Sequence, residues 1–149
     1  MWPHRRVVGL VTHEFIPVRV HVRDHAAEFR RLGDRYDAKW TPMILVLDAS
    51  GEERYRVEGF LPVDELVPHL EFGLGRVAFS RGDFADAESR FRRVVADAPN
   101  ADVAPEALYW AGVARYKATD DGTALKETAA AFRDRYQESP WAKKASVWS

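Results

Sequence analysis

Residues 40–59 read WTPMILVLDASGEERYRVEG, and their reading decides the fold of the first half of the chain. Met43–Leu47 is an unbroken apolar run, the pattern of a strand covered on both faces. Residues 54–58 (RYRVE) alternate in type, the pattern of a strand covered on one face. Between them stands Asp48-Ala-Ser-Gly51, a turn whose glycine can take positive φ. The spacing predicts an antiparallel hairpin. Upstream, residues 16–22 (IPVRVHV) place Val18, Val20 and Val22 in alternation with Arg19 and His21, which predicts a third strand. Ala26–Tyr36 carries Ala26, Phe29, Leu32 and Tyr36 at helical spacing, with Asp24 as a suitable N-cap. The expected order is β-α-β-β, continued by a helix. Val7–Val11 is rich in β-branched residues but reads as helix.

Beyond Pro62 the apolar spacing is helical throughout. Helices are expected over Val63–Ser80, 84–96, 105–117, 123–137 and 141–147. Pro68 removes one backbone donor from the first of these and should kink it. The breaks fall at Arg81-Gly82-Asp83, Pro99-Asn100, Asp120-Asp121-Gly122 and Ser139-Pro140, all of them turn chemistry. No low-complexity linker separates the halves. Residues 1–70 are therefore expected to be an α/β unit and 71–149 an all-α unit.

Composition narrows the function classes. Lys and Arg number 22 against 23 Asp and Glu, a balance that gives no general attraction to nucleic acid or an anionic membrane. There is no cysteine, so the chain itself has no disulfide, no thiolate nucleophile and no cysteine-ligated zinc. No apolar run approaches the roughly 20 residues of a membrane helix. The stretch MWPHRRVVGLVTHEF has no signal-peptide core or small-residue cleavage site. These points predict a cytoplasmic protein. His21, Asp24 and His25 cross a strand-to-helix junction and match no metal-ligand signature, so no metal and no cofactor is expected. No serine lies in a nucleophile elbow and no glycine-rich phosphate loop is present. Glu52-Glu53 and Asp120-Asp121 read as solvated turn residues.

Residues 15–70, with Trp40-Thr41-Pro42, the hairpin with its DxxG turn, Gly59 and a following helix, resemble the later two-thirds of a thioredoxin fold. The resemblance covers roughly residues 5–70. It implies that Thr41–Pro42 is a cis bond and that Trp40, Thr41 and Pro42 form a loop that meets extended substrate. It also implies that residues 4–14 are the last turns of a helix whose start, in that family, carries Cys-x-x-Cys and follows a central strand. Both the strand and the cysteines are missing here. Such a gap should leave the α/β half marginal or drive a homodimer, because unpaired strand edges seek partners.

In the helical half, Gly75, Gly82, Phe84, Ala87, Phe91, Val94 and Pro99, and then 108–112 with Phe132, Tyr136 and Pro140, resemble two tetratricopeptide repeats. The phrase ADVAPEALYWAGVARY, followed by RYQESPWAKKA, is similar in wording to those of bacterial envelope-assembly proteins. The units are 37 and 41 residues apart by their Gly and Pro markers, against a repeat of about 34. Two generic helical hairpins are the alternative. By position the repeat groove would comprise Phe72, Arg76, Phe79, Tyr109, Val113, Tyr116 and Lys117, where aromatics and cations suit an extended peptide. Two repeats make only a shallow groove, which favours the alternative that the aromatics pack against neighbouring helices. Two functions are consistent with the whole. One is a non-catalytic protein-interaction module with a protein or peptide partner. The other is a shortened thiol-disulfide oxidoreductase whose redox motif lies ahead of Met1.

Overall fold

The computed structural model describes residues 4–149, so the first three residues of the stretch read for a signal peptide lie outside the described residues. The chain divides into one compact unit ending at Val67 and a second, Pro68–Ser149.

In the first unit, α1 (Arg5–Glu14) buries Val7 and Val11, four residues apart on one face. His4 caps it, its Nδ1 accepting from the Arg6 backbone N–H at 3.3 Å. α2 (Ala26–Tyr36) follows and ends on Asp37 in the left-handed region, φ 51°. Then β1 (Met43–Leu47) and β2 (Glu53–Glu58) form a two-stranded antiparallel sheet. Met43 opposes Glu58, Ile44 opposes Val57 and Val46 opposes Tyr55, before a register shift after Val46. The DxxG turn works as its composition requires. Gly51 sits at φ 83° and its N–H donates to the Asp48 carbonyl at 3.0 Å.

Two expectations for this unit are corrected. Residues 16–22 form no strand. Alternation is a local property, whereas a strand needs a second strand to accept its ladder, and no backbone–backbone hydrogen bond reaches residues 16–20 among the described residues. Among the described residues the order is thus α-α-β-β, with no strand before α2. The N-cap of α2 is His25, without a side-chain cap bond, and not Asp24. The Asp24 carboxylate instead lies 3.1 Å from His21 Nδ1.

Asp48 organises the turn. Its carboxylate accepts from Ser50 Oγ (2.5 Å), the Ser50 N–H (2.9 Å), the Glu52 N–H (3.1 Å) and Arg54 Nε (2.7 Å). The Ser50 hydroxyl first, then Arg54 and the two N–H groups, hold its carboxyl well below the usual carboxylate range. A depressed folded-state pKa makes the unfolded chain the better proton binder. The contribution to stability is therefore complete above about pH 4, the unfolded carboxyl value, and is lost as pH falls below it. We expect the difference in melting temperature between wild type and Asp48→Asn to be largest above pH 5 and to shrink from pH 4 to pH 2. A pH-independent difference would contradict this role.

α3 (Val63–Ser80) straddles the division between the units and continues through Pro68. In the second unit α4 (Phe84–Asp97), α5 (Ala104–Thr119), α6 (Thr123–Asp134), α7 (Pro140–Ala145) and a 3-10 turn (Ser146–Trp148) follow. Asp83 caps α4 through the Asp86 N–H, and Ser139 caps α7 through the Trp141 N–H. α6 stops at Asp134, three residues short of the expected 123–137, because Arg135 is extended and Tyr136 turns to φ 60°. The Tyr136 hydroxyl then donates to the Pro99 carbonyl at 2.6 Å, holding the end of α6 to the loop after α4. Phe72 and Phe91, both fully buried, meet at 5.2 Å between ring centroids. Their contact joins α3 to α4. Gly112 on α5 faces the buried Thr128 of α6.

Candidate binding site

At one end of the β1–β2 hairpin the Pro42 carbonyl accepts from the Gly59 N–H at 2.9 Å. Gly59 stands at φ 87°, a conformation that favours glycine. The Thr41–Pro42 bond is cis. Thr41 and Pro42 are exposed, and on either side of them two large aromatics stand in solvent: Trp40 is 64% exposed and Phe60 71%. At the opposite end, a shallow cavity of about 430 Å³ is lined mainly by Asp34, Arg35, Asp37, Glu52 and Glu53. The Tyr36 hydroxyl crosses it to the Gly51 carbonyl at 2.7 Å. Two of these carboxylates are already answered: Asp37 by Lys39 at 2.9 Å, and Glu53 by Arg56 at 2.7 Å. Arg56 also donates to the Tyr36 and Asp37 carbonyls, so it ties the end of α2 to β2. Glu53 and then Glu58 hold its guanidinium well above the ordinary arginine range. The geometry makes this end of the unit structural.

The helical unit separates the residues expected to line a groove. Phe72 is corrected: it is fully buried against Phe91 and faces no groove. Phe79 is half-buried and packs edge-on against Phe84 (5.1 Å) and Trp110 (5.3 Å). The Arg76 guanidinium lies over the Trp110 ring at 4.3 Å. Tyr109 is stacked on Trp148 at 4.7 Å and touches Trp141 at 5.1 Å. Val113 and Tyr116 are half-buried, and Lys117 is exposed.

The structure adds residues that the sequence reading had not singled out. Glu106 lies beside Arg76, Trp110 and Lys144. Burial pushes its carboxyl above the usual carboxylate range, with Arg76, the Trp110 indole and Lys144 opposing the shift. Lys144 also lies over the Trp141 ring at 4.0 Å. The signal in the sequence was the density of aromatics in residues 108–112 and 141–148. Trp110 meets Arg76 while Trp141 and Trp148 meet Tyr109, an arrangement that depends on how α3, α5 and α7 are turned. Of the histidine group, His25 Nδ1 accepts from the His21 N–H at 3.1 Å. Among the described residues no group of three or more His, Asp or Glu is arranged to hold a metal ion, and no helix is long and apolar enough to cross a membrane.

Residues 1–74 match the family model of the thioredoxin-like domain. No curated protein and no solved structure matches the chain.

Proposed function

With a thioredoxin-like domain over residues 1–74 as the premise, we propose that this chain is a non-catalytic protein-interaction module. In this reading the first unit is redox-inactive and contacts a protein partner through Trp40, Thr41 and Pro42. The helical unit is a pair of tetratricopeptide-type repeats that holds an extended peptide. The observation that carries the reading is the pair of solvent-exposed aromatics, Trp40 and Phe60, bracketing the Pro42–Gly59 bond. Large aromatics at a rigid strand end are the side chains that anchor protein interfaces. The chain has no cysteine, so it brings no thiol of its own to that loop. In the helical unit, the close approach of Gly75 to Phe91 and of Gly112 to Thr128 supports the repeat reading. Arg76, Val113, Tyr116 and Lys117 remain as its groove residues. Phe79 and Tyr109 support them through their ring contacts.

An array of extended peptides probed with the labelled chain tests the proposal. Binders are expected whose affinity falls about tenfold, roughly 1.4 kcal/mol, on Trp40→Ala. The same binders should be indifferent to Val147→Ser, which removes an exposed apolar side chain of the helical unit. An array without binders, or one in which no binder responds to Trp40→Ala, would overturn it. Insulin reduction by this chain should show no turnover. If the reading frame ahead of codon 1 encodes a Cys-x-x-Cys pair and the longer protein reduces insulin, the loop belongs to a thiol-disulfide oxidoreductase instead.

A further inference from the structure

β1 has two edges, and only one of them is paired among the described residues. The Gly59 N–H donates to the Pro42 carbonyl, which makes Pro42–Gly59 a hydrogen-bonded pair of the antiparallel ladder. Such pairs alternate along a strand. Ile44 opposite Val57 and Val46 opposite Tyr55 therefore also turn their backbone groups toward β2. Beyond the register shift the Asp48 N–H donates to the Glu52 carbonyl, which keeps the alternation. Met43, Leu45 and Leu47 thus point their N–H and C=O groups away from β2. Among the described residues no hydrogen bond reaches those outward groups.

The two edges of the sheet differ in chemistry. β2 guards its own with Glu53, Arg54, Arg56 and Glu58. β1 reads MILVL, without a charge or a proline. Its side chains are also short of cover. From Thr12 to Glu65 only Val46 and Val57 are buried, and they share one face of the sheet. Met43, Ile44 and Leu45 are half-buried, and Leu47 is 39% exposed. A two-stranded sheet by itself is marginal in water.

We propose that the open edge of β1 pairs with β1 of a second copy of this chain, antiparallel about Leu45, making one continuous sheet in the order β2-β1-β1-β2. The edge is complementary to itself. Leu45 faces Leu45 of the second copy, and Met43 faces its Leu47. In each pair the two residues exchange both backbone hydrogen bonds. Apolar side chains meet apolar side chains, and no charge opposes another. The same patch serves both copies, so the contact closes at the dimer. A charged strand such as β2 is the wrong occupant, because it would set carboxylates and guanidinium groups against Met43, Leu45 and Leu47. The inference does not depend on the reading of the Trp40–Pro42 loop.

Hydrogen exchange and cross-linking of the full chain test the proposal. Raising the concentration should yield dimers by sedimentation equilibrium and slow exchange at the Met43, Leu45 and Leu47 amides by tenfold or more. The Ile44 and Val46 amides, bonded to β2, should be protected already in dilute solution. The chain has no cysteine, so introduced ones report alone. Leu45→Cys should oxidise to a disulfide dimer, since facing residues of this kind lie about 5.5 Å apart at Cα. Met43→Cys should cross-link with Leu47→Cys on mixing and not with itself, its own counterpart lying roughly 13 Å along the ladder. Leu47→Glu should weaken the dimer tenfold or more, and Met43→Lys in the same chain should restore it, because the two stand opposite each other. A chain that is monomeric at every concentration would overturn the proposal, even if a foreign peptide then occupied the edge. So would a dimer whose outward amides exchange freely, or self-cross-linking of Met43→Cys. Cross-linking of Leu45→Cys to Val18→Cys would overturn it too, by placing residues 16–22 on the edge.

Discussion

Gly112→Ala should destabilise the helical unit by about 3 kcal/mol, although helix propensity alone argues for the opposite sign. Alanine inside a helix is favoured over glycine by about 1 kcal/mol. Here the added Cβ would fall 2.0 Å from Thr128 Oγ1, 2.7 Å from its Cβ and 2.8 Å from its Cγ2. Thr128 has little room to retreat. It is buried, and its hydroxyl donates to the Ala124 carbonyl at 2.7 Å, so turning the side chain away forfeits that bond inside the protein. The overlap must be relieved by moving α5 from α6, and overpacking of a tight contact costs typically 1–3 kcal/mol. Urea unfolding followed by circular dichroism reads the effect. Thr128→Ala in the Gly112→Ala background removes two of the three clashing atoms and should restore part of the loss. Gly122→Ala is the control, since nothing lies within 4 Å of its added Cβ, and should change stability by about 0.5 kcal/mol or less. A Gly112→Ala protein as stable as wild type would contradict the close approach of α5 and α6.

What the sequence made legible was whatever is set locally. The hairpin at 43–58 was readable because its alternation, its DxxG turn and its partner strand all lie within 16 residues. The helices were readable from their spacing and their turns. Residues 16–22 show the limit. Val18, Val20 and Val22 alternate as well as any strand in the chain, but a ladder partner is a non-local condition that the alternation cannot report. The groove residues show a second limit. α5 buries Ala104, Ala107, Leu108, Ala111 and Ala114 on one face, but Tyr109, Trp110, Val113 and Tyr116 fill the opposite face, so apolar periodicity does not select the inward one. α3 is similarly ambiguous, and an error of one position rotates a side chain by about 100°. That is enough to move Phe72 from an imagined groove into the core against Phe91. The meeting of Glu106, Arg76 and Trp110 needs the phases of two such helices at once.

The second large effect lies where α3 meets α4. Phe91→Ala should cost about 3–5 kcal/mol, because a fully buried ring leaves both a transfer loss and a cavity. Gly75→Ala should cost about 2 kcal/mol for the opposite reason, since its Cβ would lie 2.5 and 2.8 Å from two Phe91 ring atoms. The two losses should not add. Once the ring is gone, the methyl of Gly75→Ala enters vacated space and keeps the helix-propensity gain of about 1 kcal/mol. The double variant should therefore be no less stable than Phe91→Ala alone, with a coupling energy of about 2–3 kcal/mol in a double-mutant cycle. A loss of 3–5 kcal/mol is a large share of the 5–15 kcal/mol that holds an ordinary domain folded. Phe91→Leu supplies a milder background, in which Gly75→Ala should again be less costly than in wild type. Additive costs in both backgrounds would mean that Gly75 and Phe91 do not touch. Coupling of the expected size would show that glycine is required at position 75 by the ring across from it and not by the helix that contains it.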